Sequence, residues 1–298
     1  MRILVTGASG FVGSRLLPRL AAEGASVLAT DTDVDVRDAA AVRAAVKEAR
    51  PEALIHLAAL SSVAGSFEVA EAAYQVNFLG THAVLAALEA AAPRARLLLV
   101  SSGQVYGSAA PGAAAFDESA PLRPASPYAW SKAAADLLGR TFAEKGLDVV
   151  RVRPFNHTGP GQSEAFVAAS FARQIAEIEA GRRPARLAVG NLDAVRDFLD
   201  VEDVVEAYVR LLDRAAPAGL YNVASGRGRR VREILERLLA LARVRPEITV
   251  DPLRFRPRDV SVGSPARLRE RTGWEPRVDL DETLSRLLDD WRARISAA

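Results

Sequence analysis

The chain has 298 residues, of which 49% are hydrophobic and 26% charged, a balance that excludes the disordered and fibrous classes. The net charge is only +2, and no basic cluster alternates with aromatic residues, so we expect no nucleic-acid-binding surface. Because the chain has no cysteine and no apolar run of roughly 18 residues, we expect no disulfide, no zinc–thiolate site and no membrane span, and the default is a cytoplasmic enzyme.

The first half of the chain alternates short strand-like runs with helical stretches, which is the pattern of a doubly wound parallel sheet. Both faces of such a sheet are covered by helices, so its strands read as nearly continuous apolar runs. The first apolar run leads into a glycine turn and not into a cleavage site, so we predict no signal peptide. The predicted strands are 2–6, 26–30, 34–36, 53–57, 96–101 and 147–153. The predicted helices run from the glycine turn to about residue 23 and over 38–49, 68–91 and 127–144.

After Pro154 this alternation becomes less regular. A loop rich in glycine and proline at 156–162 precedes a predicted helix at 166–180. The later elements are predicted as strands at 196–200 and 220–223 and as helices at 201–213, 231–241, 265–271 and 280–295. We therefore predict the α/β class, with a Rossmann-type doubly wound sheet in a dinucleotide-binding domain over 1–155, to which 190–225 returns. Residues 156–189 and 226–298 would form a smaller C-terminal substrate-binding lobe.

Three glycines follow the first predicted strand with the spacing Gly7-x-x-Gly10-x-x-Gly13. A glycine in this loop lets the backbone turn sharply and approach a pyrophosphate closely. The helix that begins there offers unpaired N–H groups and the positive end of its dipole to the phosphates. The strand–loop–helix context therefore predicts a dinucleotide site.

Asp31 ends the second predicted strand. A carboxylate at this place accepts hydrogen bonds from the adenosine ribose hydroxyls and repels a 2′-phosphate, which favours NAD over NADP. Thr32 and the turn after it can still adapt to either cofactor, and a capping role for Asp31 is the structural alternative. Asp35 and Val36 end the next predicted strand, where they would suit the edge of the adenine.

Tyr128 and Lys132 are separated by one helical turn, so both side chains lie on the same face of the predicted helix. A nearby ammonium lowers the pKa of a tyrosine, which can then exchange a proton with a carbinol or carbonyl oxygen. Ser102 ends the strand before this helix and would hydrogen-bond the substrate oxygen beside Tyr128. These three residues are the predicted catalytic set.

Seven separated motifs resemble the extended short-chain dehydrogenase/reductases, the epimerase/dehydratase group that acts on nucleotide sugars, and they span nearly the whole chain. They are Gly7-x-x-Gly10-x-x-Gly13, His56-Leu-Ala-Ala59, Asn77-x-x-Gly80-Thr81, Ser101-Ser102, Val105-Tyr106-Gly107, Tyr128-x-x-x-Lys132 and Arg153-Pro154-Phe155-Asn156. The expected cofactor is NAD or NADP. The residues expected to bind it are Gly7, Gly10, Phe11, Val12, Gly13, Asp31, Asp35, Val36, Leu57, Ala58, Ala59, Asn77, Ser101, Tyr128, Lys132 and Pro154.

Two features of the chain separate it from two branches of this family. Sugar-nucleotide 4,6-dehydratases resemble one another in an Asp-Glu pair after the active-site Ser or Thr, which moves protons at C5 and C6. Here Gly103 and Gln104 stand at those positions, and neither can shuttle a proton. Epimerase/reductases of the synthase type resemble one another in using a cysteine as acid/base, and this chain has none.

Four segments, at 153–162, 189–192, 196–198 and 256–260, are similar to GDP-6-deoxy-4-keto-mannose reductases. This resemblance implies hydride delivery to C4 of a 4-keto-6-deoxyhexose, with Tyr128 protonating the new alkoxide. The alternative is a UDP-sugar 4-epimerase, since segment 101–107 fits it equally well and Asp31 suits its tightly held NAD. A dinucleotide-binding module without turnover is a third hypothesis, which the intact catalytic set disfavours.

The family resemblance also implies contacts to a nucleotide-diphosphate sugar. The expected residues are Asn156, Arg196 and Arg256 at the diphosphate, and Ser62 and Gln104 at the sugar. Arg258 is an alternative to Arg256. His157 would line the sugar site or support the loop, and His56 is expected to pack at a strand end. None of the three histidines has metal-ligand spacing, so we predict no metal.

The long helices at 68–91 and 127–144 flank the predicted sheet, and by family resemblance they pair with a second copy as a four-helix dimer interface. Alanines on these helices would permit close approach, although packing against the sheet is an equal interpretation. The alanines concerned are Ala83, Ala86, Ala87, Ala133 and Ala134.

Overall fold

A computed structural model describes residues 1–110, 112–252 and 260–297. Its strands are β1 (Arg2–Thr6), β2 (Ser26–Thr30), β3 (Ala53–His56), β4 (Arg96–Val100), β5 (Asp148–Pro154), β6 (Asn156–Thr158), β7 (Arg186–Val189), β8 (Val195–Asp200), β9 (Gly219–Val223), β10 (Gly228–Arg230), β11 (Glu247–Val250) and β12 (Val260–Ser261). Its α-helices are α1 (Gly13–Ala22), α2 (Ala39–Ala49), α3 (Ala70–Tyr74), α4 (Gly80–Ala91), α5 (Pro127–Glu144), α6 (Val167–Glu179), α7 (Val201–Leu212), α8 (Val231–Leu241), α9 (Ala266–Thr272) and α10 (Leu280–Ala297).

Six parallel strands form the central sheet, in the order β2-β1-β3-β4-β5-β9. The chain runs outward from β1 to β2 and then crosses back to β3 on the other side of β1. This reversal creates a switch point between β1 and β3, and ligands of doubly wound sheets bind outside the carboxyl ends of the strands at such a point. The predicted α/β class and parallel sheet are confirmed.

Alternating side chains of β1 divide the core around this sheet into two layers. Ile3 and Val5 point into a cluster with α1 and α7. Leu4 points into a second cluster, with α2, α4 and the end of α5. Because both faces of the sheet are covered, its strands carry the nearly continuous apolar runs seen in the sequence.

A separate core joins α6, α8 and α10 around β7. This third layer of packing supports the predicted smaller lobe, whose boundaries stay a proposal. The packing also crosses those boundaries, since Leu268 and Trp274 belong to the α1–α7 cluster, whereas Ala194 and Phe198 belong to the α6–α8–α10 core. Among the described residues, no helix is both long and apolar enough to cross a bilayer.

The structure corrects three of the predicted elements. The predicted strand at 34–36 is wrong, because these residues lie in turns where Asp33 accepts from the N–H of Asp31 (2.6 Å) and Asp35 from that of Arg37 (2.9 Å). Such local side-chain bonds compete with strand pairing. The predicted helix at 68–91 is divided into α3, a π-helical turn at Gln75–Leu79 and α4. The predicted loop at 156–162 begins with β6, which pairs with β8.

Candidate active site

A cavity of about 710 Å³ opens at the carboxyl ends of the central strands, beside the switch point. Most of the residues predicted at the site line this one space. They are Gly7, Gly10, Phe11, Val12, Gly13, Asp31, Asp35, Val36, Leu57, Ala58, Ala59, Ser101, Ser102, Gln104, Tyr128, Lys132, Pro154 and Asn156. Motifs that are far apart along the chain therefore lie around one chamber, as parallel strands with a common carboxyl edge require.

The glycine loop has the shape that a dinucleotide needs. Gly7 has a φ of +71°, and a Cβ there would lie 2.6 Å from the backbone nitrogen of Ala58. A Cβ on Gly13 would lie 2.3 Å from the carbonyl oxygen of Ala8, so α1 can start this close to β1 only without a side chain. Within the described chain, the Val12 side chain does not cap α1, which leaves the start of the helix open to phosphate. The loop therefore fits NAD or NADP.

The carboxylates at the β2 end of the cavity are held in place by local donors. The Oδ2 atom of Asp31 accepts a hydrogen bond from the backbone N–H of Ser9 over 2.7 Å. The hydroxyl and backbone amide of Ser9 hold the pKa of Asp31 below its usual range. Hydrogen bonds from Arg37 lower the pKa of Asp35 to about 2. Both carboxylates are therefore ionised at neutral pH, at the place predicted for the adenosine.

The predicted acid/base residues lie on the inner face of α5, which begins after Ser126 caps its first turn at a distance of 3.1 Å from Ala129 N. Tyr128 and Lys132 are both buried. Burial lowers the pKa of Lys132 to about 8, against the opposing charge of Asp136. Burial raises the pKa of Tyr128, and the hydroxyl of Ser102 opposes that shift. Tyr128 therefore keeps its proton at neutral pH and can donate it.

A buried ionic network fixes the next turn of α5. Asp136 pairs through its two oxygens with Arg151 and with Arg153, each over 2.7 Å. Arg153 also donates to the hydroxyl of Tyr106 (2.9 Å), which in turn donates to Asn222 (2.8 Å). The carboxylate lies one helical turn beyond Lys132, so the network ties the catalytic helix to β5 and β9.

Asn77, which is predicted to bind the cofactor, does not line the cavity. Its amide exchanges two hydrogen bonds with the backbone of Leu60 (2.8 and 3.0 Å) and donates to the hydroxyl of Ser131 (2.9 Å). Ser131 in turn donates to the carbonyl oxygen of Tyr128 (2.8 Å). Asn77 lies in the π-helical turn, a feature that often marks functional sites. It therefore positions the loop and helix around the cavity.

His56 is fully buried at the end of β3, between two threonines. The hydroxyl of Thr81 donates to the carbonyl oxygen of Asn77 (2.7 Å), so Nε2 of His56 donates to Thr81 over 3.1 Å. Nδ1 is then the acceptor for the hydroxyl of Thr6 (2.7 Å). Burial lowers the pKa of His56 to about 3. His56 is therefore a neutral packing residue.

Two of the predicted substrate residues, Ser62 and Arg196, do not line the cavity. Ser62 is outside the cavity lining, and its Oγ accepts from the N–H of Gly65 over 3.0 Å. Arg196 also does not line the cavity, and it donates to the carbonyl oxygen of Val195 over 3.2 Å. Arg256 and its alternative Arg258 lie outside the described residues.

Two further residues line the cavity: His157, for which the sequence left a sugar-site role and a loop role open, and Tyr208. The Nδ1 atom of His157 donates to the carbonyl oxygen of Phe155 over 3.0 Å, and burial lowers the pKa of His157. Tyr208, on α7, lines the cavity although no motif marks it. Its signal in the sequence is the apolar periodicity of α7, which predicts a core residue. In the described part of the chain, no group of three or more His, Asp or Glu side chains could hold a metal ion.

A doubly wound sheet, an open glycine loop and a Tyr-Lys pair in one cavity define an NAD(P)-dependent oxidoreductase of the short-chain dehydrogenase/reductase type. The chain belongs to the branch of this family described as GDP-mannose 4,6 dehydratase, whose model matches residues 30–287. The predicted family is therefore confirmed.

Individual relatives cover almost the entire chain. The chain is 41% identical to GDP-6-deoxy-D-mannose reductase of Pseudomonas aeruginosa, over 99% of this chain and 98% of that protein. Among solved structures, RMD from Pseudomonas aeruginosa complexed with NADPH has a TM-score of 0.90 and is 40% identical. The match covers 99% of this chain and 100% of that chain. The UDP-glucose 4-epimerase of Thermus thermophilus in complex with NAD has a TM-score of 0.88 and is 34% identical. The match covers 98% of this chain and 99% of that chain. The predicted fold class and the NAD(P) cofactor are confirmed.

Proposed function

We propose that this enzyme reduces the C4 keto group of a nucleotide-activated 4-keto-6-deoxyhexose, with the GDP-4-keto-6-deoxymannose type as the first candidate. One observation carries the proposal. Among the described residues that line the cavity, the carboxylates are Asp31 and Asp35, both at the adenosine end. A dehydratase needs a second acid or base beside the tyrosine to remove and deliver carbon-bound protons. The similarity to a GDP-6-deoxy-D-mannose reductase supports the same choice.

The packing around Gly103 is tight for any side chain. A Cβ at this position would lie 3.0 Å from the ring of Phe155, which is itself buried. A carboxylate side chain there would require that ring to shift by a few tenths of an ångström. Gln104 lines the cavity, but an amide neither donates nor accepts a proton in catalysis. The proposed chemistry is therefore restricted to one carbon.

The side chains at the other end can perform a single reduction. Bound NADH or NADPH supplies the hydride for the keto carbon. Tyr128 donates its phenolic proton to the oxygen of that carbon, and Ser102 holds the same oxygen by a hydrogen bond. Lys132, as an ammonium, stabilises the phenolate that remains. We propose that Asn156 and Gln104, which line the cavity, contact the nucleotide sugar.

A direct assay tests this proposal. Purified enzyme is mixed with NADH or NADPH and GDP-4-keto-6-deoxymannose, and loss of reduced-nicotinamide absorbance is followed while NMR identifies the sugar. We expect stoichiometric oxidation of the cofactor and a new C4 carbinol. Tyr128→Phe should lower turnover by a factor on the order of 100 or more and leave cofactor binding intact. Unchanged turnover in this variant, or a product that has lost water, would overturn the proposal.

A UDP-sugar 4-epimerase is the second candidate, and the Ser9–Asp31 contact favours it. The ionised carboxylate suits the 2′-hydroxyl of NAD, whereas the reductase reaction consumes a cofactor that must exchange after each turnover. The two candidates differ in the purified protein. Stoichiometric NAD that survives dialysis, with interconversion of UDP-glucose and UDP-galactose, supports the epimerase, and cofactor-free protein supports the reductase.

We also propose that the enzyme acts as a homodimer through α4 and α5 with its partner copy, in the cytoplasm where nucleotide sugars and NAD(P)H are available. An exposed apolar surface at the end of α3, on the π-helical turn before α4 and on α5 supports the dimer. It consists of Tyr74, Leu79, Trp130 and Leu137, which are 41–57% exposed. Of the alanines expected to form this surface, Ala83, Ala87 and Ala133 are instead buried in the chain's own core. The larger side chains would therefore make the contact.

A further inference from the structure

Tyr208 carries a buried polar group that has no hydrogen-bonding partner. Its side chain is 0% exposed, on the face of α7 that packs into the α1–α7 cluster. Its hydroxyl makes no hydrogen bond with any described residue. Buried hydroxyls in native proteins are almost always paired, because an unpaired one loses its hydration without compensation. A phenylalanine would fill the same volume without that cost. The hydroxyl is therefore a candidate to form a hydrogen bond with a bound ligand.

The position of Tyr208 relates it to the cofactor. α7 packs against α1 and β4, and Tyr208 lines the same cavity as Tyr128 and Lys132. The phenol of Tyr128 is close enough to act on the pKa of Tyr208, so Tyr208 lies toward the Tyr128 end of the cavity. A dinucleotide whose adenosine lies at Asp31, at the end of β2, extends its other half across the switch point to this end.

The surroundings of Tyr208 are apolar. Leu57, Val100 and Val12 line the cavity and pack against the same cluster. Burial, together with the nearby phenol of Tyr128, raises the pKa of Tyr208, so it stays a neutral hydroxyl that can donate or accept. In the proposed reaction Ser102 and Tyr128 contact the reacting carbonyl and Lys132 supports Tyr128, so none of the three is needed at Tyr208. The Tyr208 hydroxyl is thus a polar group of the cavity lining that has no hydrogen-bonding partner among the described residues.

We propose that the hydroxyl of Tyr208 forms a hydrogen bond with the carboxamide of the nicotinamide ring of bound NAD(P)H. The carboxamide offers both a carbonyl acceptor and an N–H donor, and the neutral phenol can satisfy either. Such a contact would set the rotation of the ring, and hence which face meets the substrate carbon. The inference rests on dinucleotide binding and not on the identity of the sugar.

The test compares two kinds of ligand on one variant. Tyr208→Phe is titrated by calorimetry with NADH, with NADPH and with ADP-ribose, which keeps the adenosine, diphosphate and ribose but has no nicotinamide. We expect the Kd for NADH and NADPH to rise about tenfold and the Kd for ADP-ribose to stay unchanged. Because the hydroxyl has no partner among the described residues, the Tm of the cofactor-free variant should equal or exceed that of the unmodified protein.

Tyr221→Phe is the matched control. The Tyr221 hydroxyl donates to the carbonyl oxygen of Pro217 over 2.7 Å, and Tyr221 does not line the cavity, so this variant should bind all three ligands normally. An unchanged Kd for NADH in Tyr208→Phe overturns the proposal. An equal loss for NADH and ADP-ribose also overturns it, since the contact would then be to the diphosphate. None of these binding outcomes depends on sugar turnover, so failure here is distinguishable from failure of the reductase assignment.

Discussion

The backbone N–H of Ser9 donates to the carboxylate of Asp31 over 2.7 Å, which joins the glycine loop to the end of β2. The contact keeps the pKa of Asp31 low and its side chain ionised. A carboxylate can accept hydrogen bonds on both oxygens, so Asp31 can hold Ser9 and a ribose hydroxyl together. The same charge repels the 2′-phosphate of NADP.

The first prediction concerns this cofactor preference. We expect kcat/KM to be higher with NADH than with NADPH in the unmodified enzyme. Asp31→Asn should shift the ratio about tenfold toward NADPH, because it removes the negative charge that would face a 2′-phosphate bound at the end of β2. Steady-state rates with both cofactors measure the ratio, and the Tm controls for loss of the Ser9 contact. Unmodified enzyme that prefers NADPH, or a ratio unchanged by the substitution, would contradict the expected role of Asp31.

The second prediction concerns Gly7 and uses Gly24 as a matched control. Both residues have positive φ, at +71° and +73°, so alanine adds a backbone strain of roughly 1–2 kcal/mol at either place. A Cβ at Gly24 meets no atom within 4 Å, whereas one at Gly7 lies 2.6 Å from Ala58 N. Gly7→Ala should therefore lower the free energy of unfolding clearly more than Gly24→Ala, as urea denaturation measures. Binding of NADH should fall at least tenfold in Gly7→Ala alone, and equal behaviour of the two variants would be the adverse result.

The parts of the site that depend on local spacing could be predicted from the sequence. The spacing from Gly7 to Gly13 places a turn and a helix start at one strand end, and the spacing from Tyr128 to Lys132 places two side chains on one helix face. Parallel strands with a common carboxyl edge then bring the motifs together without further information.

The parts that depend on tertiary contacts could not be predicted. Asn77 fits the family motif, but its amide is hydrogen-bonded to the backbone of Leu60 and to the hydroxyl of Ser131, and Asn77 does not line the cavity. The sequence pattern around Tyr208 is that of an ordinary core position of an amphipathic helix, and the packing of α7 against α1, β4, β6 and β8 brings it to the cavity. The turn at 34–36 contains β-branched residues, and the hydrogen bonds of Asp33 and Asp35 override them.

The third prediction concerns pH. Burial lowers the pKa of Lys132 to about 8, so the ammonium is present below that pH and is lost above it. Burial already raises the pKa of Tyr128, with only the Ser102 hydroxyl opposing that shift, so without the ammonium the phenolate left after proton donation is less stable. For reduction of the keto sugar, kcat/KM should therefore fall as pH rises through about 8.

A pair of variants tests whether this decrease of kcat/KM above about pH 8 is due to Lys132. Arginine stays protonated over the whole range, so residual activity of Lys132→Arg should show no decrease near pH 8. Lys132→Met should have a lower kcat/KM at every pH and should also show no decrease near pH 8. The pH profile of kcat/KM reports groups of the free enzyme, and a decrease near pH 8 that persists in both variants would exclude Lys132 as its origin.

The fourth prediction concerns the apolar surface of α5. Trp130 and Leu137 lie two turns apart on the outer side of this helix, 57% and 49% exposed, whereas Tyr128 and Lys132 face inward. Large apolar side chains that cluster on a surface mark an interaction site, and a second copy would cover them. Trp130→Glu would bury an unpaired charge in that contact, so light scattering should show a dimer for the unmodified chain and a monomer for the variant.

Val250→Glu is the control, because Val250 is 61% exposed on β11, outside this surface, and this variant should keep the dimer mass. NADH binding should survive in both variants, since neither residue lines the cavity. A monomeric unmodified chain at micromolar concentration, or a Trp130→Glu variant that stays dimeric, would refute the α4–α5 interface.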